Sequence, residues 1–112
     1  SSSTSAHTGA ELGAYTASKG AVLSYTKWTA KRMAPRATCN SISFGGVKTP
    51  LNDRLYDDAM WMEIMRMTPM RKWLSAREAA DWILFVALQN ESMTAQDIVI
   101  DNGEMYNHTF VW

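Results

Sequence analysis

The stretch Ala37-Thr38-Cys39-Asn40-Ser41-Ile42-Ser43-Phe44-Gly45-Gly46-Val47-Lys48-Thr49-Pro50 decides how this chain folds. Its first eight residues alternate weakly between polar and apolar side chains. That suits a short β-strand, which Gly45-Gly46 cuts off in a turn. Val47-Lys48-Thr49 must then stay extended, because the ring of Pro50 pushes the residue before it out of helical geometry. Upstream, from Ala14 to about Met33, there is no glycine except Gly20 and no proline until Pro35. Lys27, Lys31 and Arg32 crowd the far end, where cations meet the partial negative charge of a helix C-terminus. Ala14, Ala17, Ala21, Tyr25 and Trp28 recur at spacings of three and four, predicting a long helix with those five on its buried face.

Downstream, residues 52–70 read as a mobile helical insert holding Met60, Trp61, Met62, Met65, Met67 and Met70. At that spacing the methionines are either ordinary core or an adaptable apolar wall for a substrate. Ser75-Ala76-Arg77-Glu78 is a capping box opening a helix that runs to about Gln89. The second half of that helix, Trp82–Leu88, is apolar on every side and is therefore expected to be buried on every side. Asp97-Ile98-Val99-Ile100-Asp101 is a short apolar strand closed by Asn102-Gly103, and an aromatic tail follows from Tyr106 to Trp112. Helix, strand, helix, strand is the order of a parallel, right-handed unit. Two parallel strands cannot shelter both of their faces, so this reading needs more sheet than it contains.

The length of 112 residues is that of one domain, and 11 basic against 11 acidic side chains give a formal net charge of zero. That balance excludes a nucleic-acid binder acting through bulk charge. Residues 1–49 hold six basic side chains and one acid, and residues 50–112 hold five and ten. This asymmetry carries no functional weight. With 46% hydrophobic and 20% charged residues the chain is a folding sequence. Its longest apolar run, Trp82–Leu88, falls far short of the roughly 18–20 residues that span a membrane. No signal peptide is visible. The single cysteine, Cys39, excludes an intrachain disulfide or a multi-cysteine zinc site and reads as a small hydrophobe in a buried strand. A reduced, cytoplasmic setting is expected. The opening Ser1-Ser2-Ser3-Thr4-Ser5, without an initiator methionine, reads as a cut.

The chemistry centres on three residues. Tyr15-Thr16-Ala17-Ser18-Lys19 places a phenol and an ammonium four apart, on one helix face. A nearby cation favours the phenolate, which suits the phenol to general acid/base work near neutrality. Ser2 lies upstream, where its hydroxyl could return from a strand end to hold a substrate oxygen. Taken alone, Tyr-x-x-x-Lys is a weak signal and more often marks a surface lysine beside a packed tyrosine. His7 reads as an exposed loop histidine, and with no second histidine nearby metal binding has no support.

Together, Ser2, Tyr15-Thr16-Ala17-Ser18-Lys19-Gly20-Ala21 and Asn40-Ser41-Ile42-Ser43-Phe44-Gly45-Gly46-Val47-Lys48-Thr49-Pro50 closely resemble the short-chain dehydrogenase/reductase family. The family's Ser, Tyr-x-x-x-Lys and Asn-x-(Ile/Val)-x-Pro-Gly-x-(Val/Ile)-x-Thr motifs fall in the same order and register. Met93 to Gly103 is similar to the family's terminal strand, Thr-Gly-x-x-(apolar)-x-Val-Asp-Gly-Gly. Phe44 stands where the family usually has proline, and Ala95 and Asn102 replace common glycines.

The resemblance implies an α/β fold, the C-terminal portion of a doubly wound parallel-sheet (Rossmann-like) domain. Residues 1–112 would be its C-terminal half, incomplete without an N-terminal half that carries the glycine-rich phosphate loop. It also implies an NAD(P)-dependent oxidoreductase interconverting a secondary alcohol and a ketone. Tyr15 would exchange the proton, Lys19 would hold the nicotinamide ribose and favour the Tyr15 phenolate, and Ser2 would orient the substrate carbonyl. Gly45 and Val47 would line the nicotinamide, with the Val47 backbone meeting the carboxamide, and Thr49 would bond the carboxamide or the pyrophosphate. Residues 51–70 would be the substrate loop. The implied cofactor is NAD or NADP, the partners a small alcohol or ketone, the missing half of the same protein and further copies in a dimer or homotetramer. No nucleic acid and no membrane are implied. The alternative is a catalytically inactive fragment that serves only in packing or assembly.

Overall fold

A computed structural model describes residues 2–3, by backbone alone, and 13–107. The long helix α1 spans Gly13–Met33, within a residue of its expected start. Its buried face is not the expected one. Tyr25 and Trp28 are exposed, stacked on each other at 5.4 Å, with the Arg32 guanidinium 4.8 Å from the Trp28 ring. The inward stripe is Thr16, Gly20, Leu23, Thr26 and Ala30, and α1 packs with it on the sheet described below. Small and β-branched residues let the helix lie close. A threonine hydroxyl can be buried because it bonds its own helix, as Thr26 Oγ1 does by donating to Val22 O at 2.7 Å. A reading that counts threonine and glycine as polar therefore selects the wrong face.

Strand β1 (Ser2–Ser3) pairs with β2 (Ser41–Phe44), and β2 pairs in turn with the later strand Asp97–Ile100, all parallel. The register runs from Ser41 opposite Asp97 to Phe44 opposite Ile100, with Ser2 opposite Ser43 on the other edge. The expected strand thus loses its first four residues. Cys39 and Asn40 are instead tied sideways to 93–96, through Cys39 N–H to Thr94 Oγ1 and Asn40 Nδ2 to Met93 O among others. Cys39 is half-buried and precedes the strand, which corrects its expected place inside one.

A second ladder was not anticipated: β3 (Val47–Lys48) lies parallel to β4 (Leu74–Ser75). The segment between them forms two helices, α2 (Pro50–Leu55) and α3 (Asp58–Met67). The break falls where the Asp57 carboxylate accepts from Met60 N–H at 2.9 Å and caps α3. Met60, Met62, Met67 and Met70 are exposed, so they are not ordinary core. Trp61, Ile64 and Met65 form the inner side of α3, and the buried Thr68 follows its last turn.

The capping box is present at the start of α4 (Ala76–Leu88): Glu78 N–H donates to Ser75 Oγ at 3.0 Å, and Ser75 N–H to Glu78 Oε1 at 3.1 Å. Trp82, Ile83, Leu84, Phe85 and Leu88 are nonetheless exposed, against the expectation of burial all round. The physical reason is area. Among the described residues α4 packs mainly on the short β3–β4 ladder, Ile83, Val86 and Ala87 line a hollow of about 400 Å³ with Ile42, and no described element covers the rest. Strand β5 (Asp97–Ile100) leads into a tight turn at Asn102-Gly103 and a 3-10 turn, Glu104–Asn107. Tyr106 is exposed there, and the remainder of the aromatic tail lies outside the described residues.

Among the described residues the buried hydrophobics are Ala30, Ile42 and Leu74. Buried polar groups accompany them. Ser41 and Ser43, on the face of β2 opposite Ile42, donate to the Asp97 carboxylate at 2.7 and 2.8 Å, so their burial costs no unmet hydrogen bond.

Candidate active site

In a parallel sheet all strands end at the same edge, and an open α/β sheet takes its ligands outside that carboxyl edge. β2 reaches the edge at Phe44, and Gly45–Thr49 follows immediately. Helix α1 returns against the strands, so its first turns stand at the same end. There Tyr15 is partly exposed, and the Lys19 Nζ lies 5.4 Å from the centroid of its ring. The four-residue spacing on a helix is what brings ammonium and phenol together.

The turn is fixed by main-chain bonds. Gly45 N–H donates to Ile100 O at 3.0 Å, and Gly46 O accepts from Leu74 N–H at 3.0 Å. A Cβ on Gly45 would collide with Asp101 and Glu104, and one on Gly46 with the Trp73 ring, so both positions require glycine. In the β3–β4 ladder the bonding groups flank Val47, since Leu74 reaches back to Gly46. The N–H and C=O of Val47 itself then face the opposite edge. Thr49 precedes α2 and is tied to Asn52, whose Oδ1 accepts from Thr49 N–H and from Thr49 Oγ1, each at 2.8 Å. A hydroxyl has one proton and two lone pairs, so Thr49 Oγ1 is left as an acceptor.

Beside the turn, Tyr56, Trp61 and Trp73 form a cluster of edge-to-face rings with centroids 5.1–6.0 Å apart, and Lys48 Nζ lies 5.3 Å over Trp61. The cluster joins α2 and α3 to the glycine turn.

Of the residues singled out in the sequence, Tyr15 and Lys19 meet on one helix, and Gly45, Val47 and Thr49 share one turn. The backbone of Ser2 sits opposite Ser43, one residue short of the edge. Its side chain lies outside the described residues, as does His7. No group of three or more potential metal ligands occurs among the described residues, and no described helix is long and apolar enough to cross a membrane. Asn52, Trp73, Asp101 and Glu104 were missed by sequence reasoning. Asn52 carried a signal, since a Thr with an amide three residues later is a helix-start pattern. Glu104 carried none, because its partner lies 58 residues away.

A parallel sheet flanked by helices, with glycine and tyrosine–lysine elements at its carboxyl edge, defines a part of a doubly wound, nucleotide-binding type of fold. Comparison with known proteins makes this specific. A family model described as enoyl-(acyl carrier protein) reductase matches residues 1–104. The chain belongs to the short-chain dehydrogenase/reductase family. It is 35% identical over 91 residues to a 3-oxoacyl-[acyl-carrier-protein] reductase of Thermotoga maritima, covering 80% of this chain and 37% of that protein. It is 33% identical over 92 residues to a glucose 1-dehydrogenase of Gluconobacter oxydans, covering 80% and 35%. Among solved structures, a short-chain dehydrogenase/reductase of Brucella melitensis superposes with a TM-score of 0.82 at 28% identity, over 92% of this chain and 42% of that one. A 4-hydroxyisoleucine dehydrogenase mutant complexed with NADH and succinate does so with a TM-score of 0.79 at 27% identity, over 92% and 44%. The chain therefore spans well under half the length of the relatives it matches.

Proposed function

We propose that the protein to which this chain belongs is an NAD(P)-dependent oxidoreductase that interconverts a secondary alcohol and a ketone, with Tyr15 as general acid/base. The observation that carries this reading is the Lys19 ammonium 5.4 Å from the Tyr15 ring centroid, on the helix that runs back from the carboxyl edge where the glycine turn also lies. Family membership and the relative solved with NADH support it. The phosphate-binding part of the cofactor site is assigned to a further, N-terminal half of the same protein.

The residues present fit a nicotinamide. Its carboxamide needs one acceptor and one donor beside each other, and the outward edge of Val47 offers both. Thr49 Oγ1 donates to Asn52 Oδ1 at 2.8 Å and keeps a lone pair that suits the carboxamide NH₂. When bound, the nicotinamide supplies or takes up the hydride. Tyr15 gives its phenolic proton to the carbonyl oxygen in reduction, or takes it back in oxidation, while the Lys19 charge stabilises the oxygen that is left negative. Ser2 steadies the substrate oxygen. Helices α2 and α3, with their exposed methionines and the ring cluster, form the substrate side.

The test is Tyr15→Phe in the full-length protein. Turnover should fall by about 10³-fold or more, in the range for loss of a proton-transfer group, while the cofactor dissociation constant stays within about threefold. Turnover near wild type would remove Tyr15 from the mechanism.

A further inference from the structure

The glycine turn is also held by a side chain that the motif does not contain. Gly46 N–H donates to Glu104 Oε2 at 3.0 Å. Glu104 is itself fixed in place. Asp101, 8% exposed, accepts from Gly103 N–H and from Met105 N–H, each at 2.8 Å, and so ties down the start of the 3-10 turn on both sides of Glu104. Gly103 has a left-handed φ of +84°, and Pro69 occupies the space a side chain would need there. Met70 N–H adds a bond to Asn102 O at 3.1 Å.

Across the turn, the Trp73 ring fills the space that a side chain on Gly46 would need, and Leu74 N–H holds Gly46 O. The peptide groups of Gly46 are thus gripped on one side by a carboxylate and on the other by a strand. Swinging the turn would break both bonds. The residue whose direction this fixes is Val47. A hydrogen bond to a carboxylate belongs to the stronger class.

We propose that Glu104 is a positioning residue for the cofactor: by holding the Gly46 amide it aims the Val47 N–H and C=O at the carboxamide. This rests on the reading of the turn as the nicotinamide site given above. Glu104 touches neither cofactor nor substrate and acts through the peptide it holds.

The test compares wild type, Glu104→Ala and Glu104→Gln in the full-length protein. Two quantities are read: steady-state kinetics with NADH and NADPH, and amide hydrogen exchange at Gly46. Glu104→Ala should raise the cofactor KM about 10-fold with kcat within about twofold, and speed Gly46 exchange about 10-fold, as loss of one charge-assisted bond allows. Glu104→Gln keeps an oxygen that can accept the same bond and should restore KM to within about threefold of wild type. Glu104→Met, similar in shape without that acceptor, serves in place of the alanine variant if the latter does not fold. Unchanged exchange and unchanged KM would overturn the role of Glu104 alone. Faster exchange with unchanged KM would show that the turn is held but does not meet the cofactor, which overturns the site as well. Equal losses in kcat and KM with no rescue by glutamine would make Glu104 merely structural. A wild-type protein that uses neither coenzyme would sink the oxidoreductase reading before any variant is compared.

Discussion

Around Gly45–Thr49 the main chain is held at four points: Gly45 N–H on Ile100, Gly46 N–H on Glu104, Gly46 O on Leu74 and Thr49 N–H on Asn52. Along Trp82–Leu88 five large apolar side chains are exposed, Leu88 with 74% of its surface. The two regions differ because they are stabilised by different kinds of interaction. Hydrogen bonds are short-ranged and pairwise, so a turn is complete once four or five partners reach it. Apolar burial scales with area and needs a whole layer of structure on the other side. The glycine turn of this fold is therefore braced among the described residues, while the apolar face of α4 is not covered.

The contrast is broken most severely at Gly46. Its Cα carries the Trp73 ring where a Cβ would sit, and both neighbouring peptides are bonded, so the turn cannot move aside. Gly46→Val is expected to destabilise the protein by about 3 kcal/mol, the upper end for overpacking, measured by denaturant unfolding. Trp73→Ala in the same background should return at least about 1 kcal/mol of that loss, because the two sites share one volume. Additive effects of the two changes would show that Trp73 is not what excludes a side chain at Gly46.

The same contrast explains what could be read from the sequence. Local chemistry was legible: Ser75 and Glu78 cap α4 as their spacing requires, Thr49 stays extended ahead of Pro50, and the Tyr15–Lys19 pair meets on its helix. Each of these needs partners within four residues. Long-range geometry was not legible. The β3–β4 pairing joins two-residue strands with no alternation to betray them, and the Glu104–Gly46 bond spans 58 residues. The buried faces were misjudged for a third reason. On α1 the sequence rule ranks Tyr25 and Trp28 as inward, yet close packing on a narrow sheet favours Gly20, Thr26 and Ala30. Burial depends on which face finds a partner, and hydrophobicity alone does not say.

The cap of α4 gives a smaller effect with a defined pH dependence. Ser75→Ala removes the acceptor for Glu78 N–H and should cost about 1 kcal/mol. The Lys72 ammonium, 2.9 Å from Glu78 Oε2, and after it the Ser75 main-chain N–H hold the Glu78 carboxyl below its usual value of 4.5. A carboxyl whose value is lowered on folding adds stability that is present above pH 4.5 and is lost as the pH falls through the lowered value. Acid titration of helix content should therefore show a loss below pH 4.5 that is shallower in Glu78→Gln. An identical acid profile in that variant would remove the cap from the pH response.

The smallest effect is expected on the open side of the comparison. Leu88 ends α4 and is the most exposed of its apolar residues. In the full-length protein, Leu88→Ser should change the unfolding free energy by no more than about 0.5 kcal/mol, as an exposed substitution does, and it should lower aggregation because one apolar group leaves the surface. Ile42→Ala, at a buried position of β2, should cost about 2–4 kcal/mol in the same measurement. A loss at Leu88 approaching that at Ile42 would mean that another surface seats on α4. The difference between the two regions would then lie in what each is packed against, and no longer in how each is built.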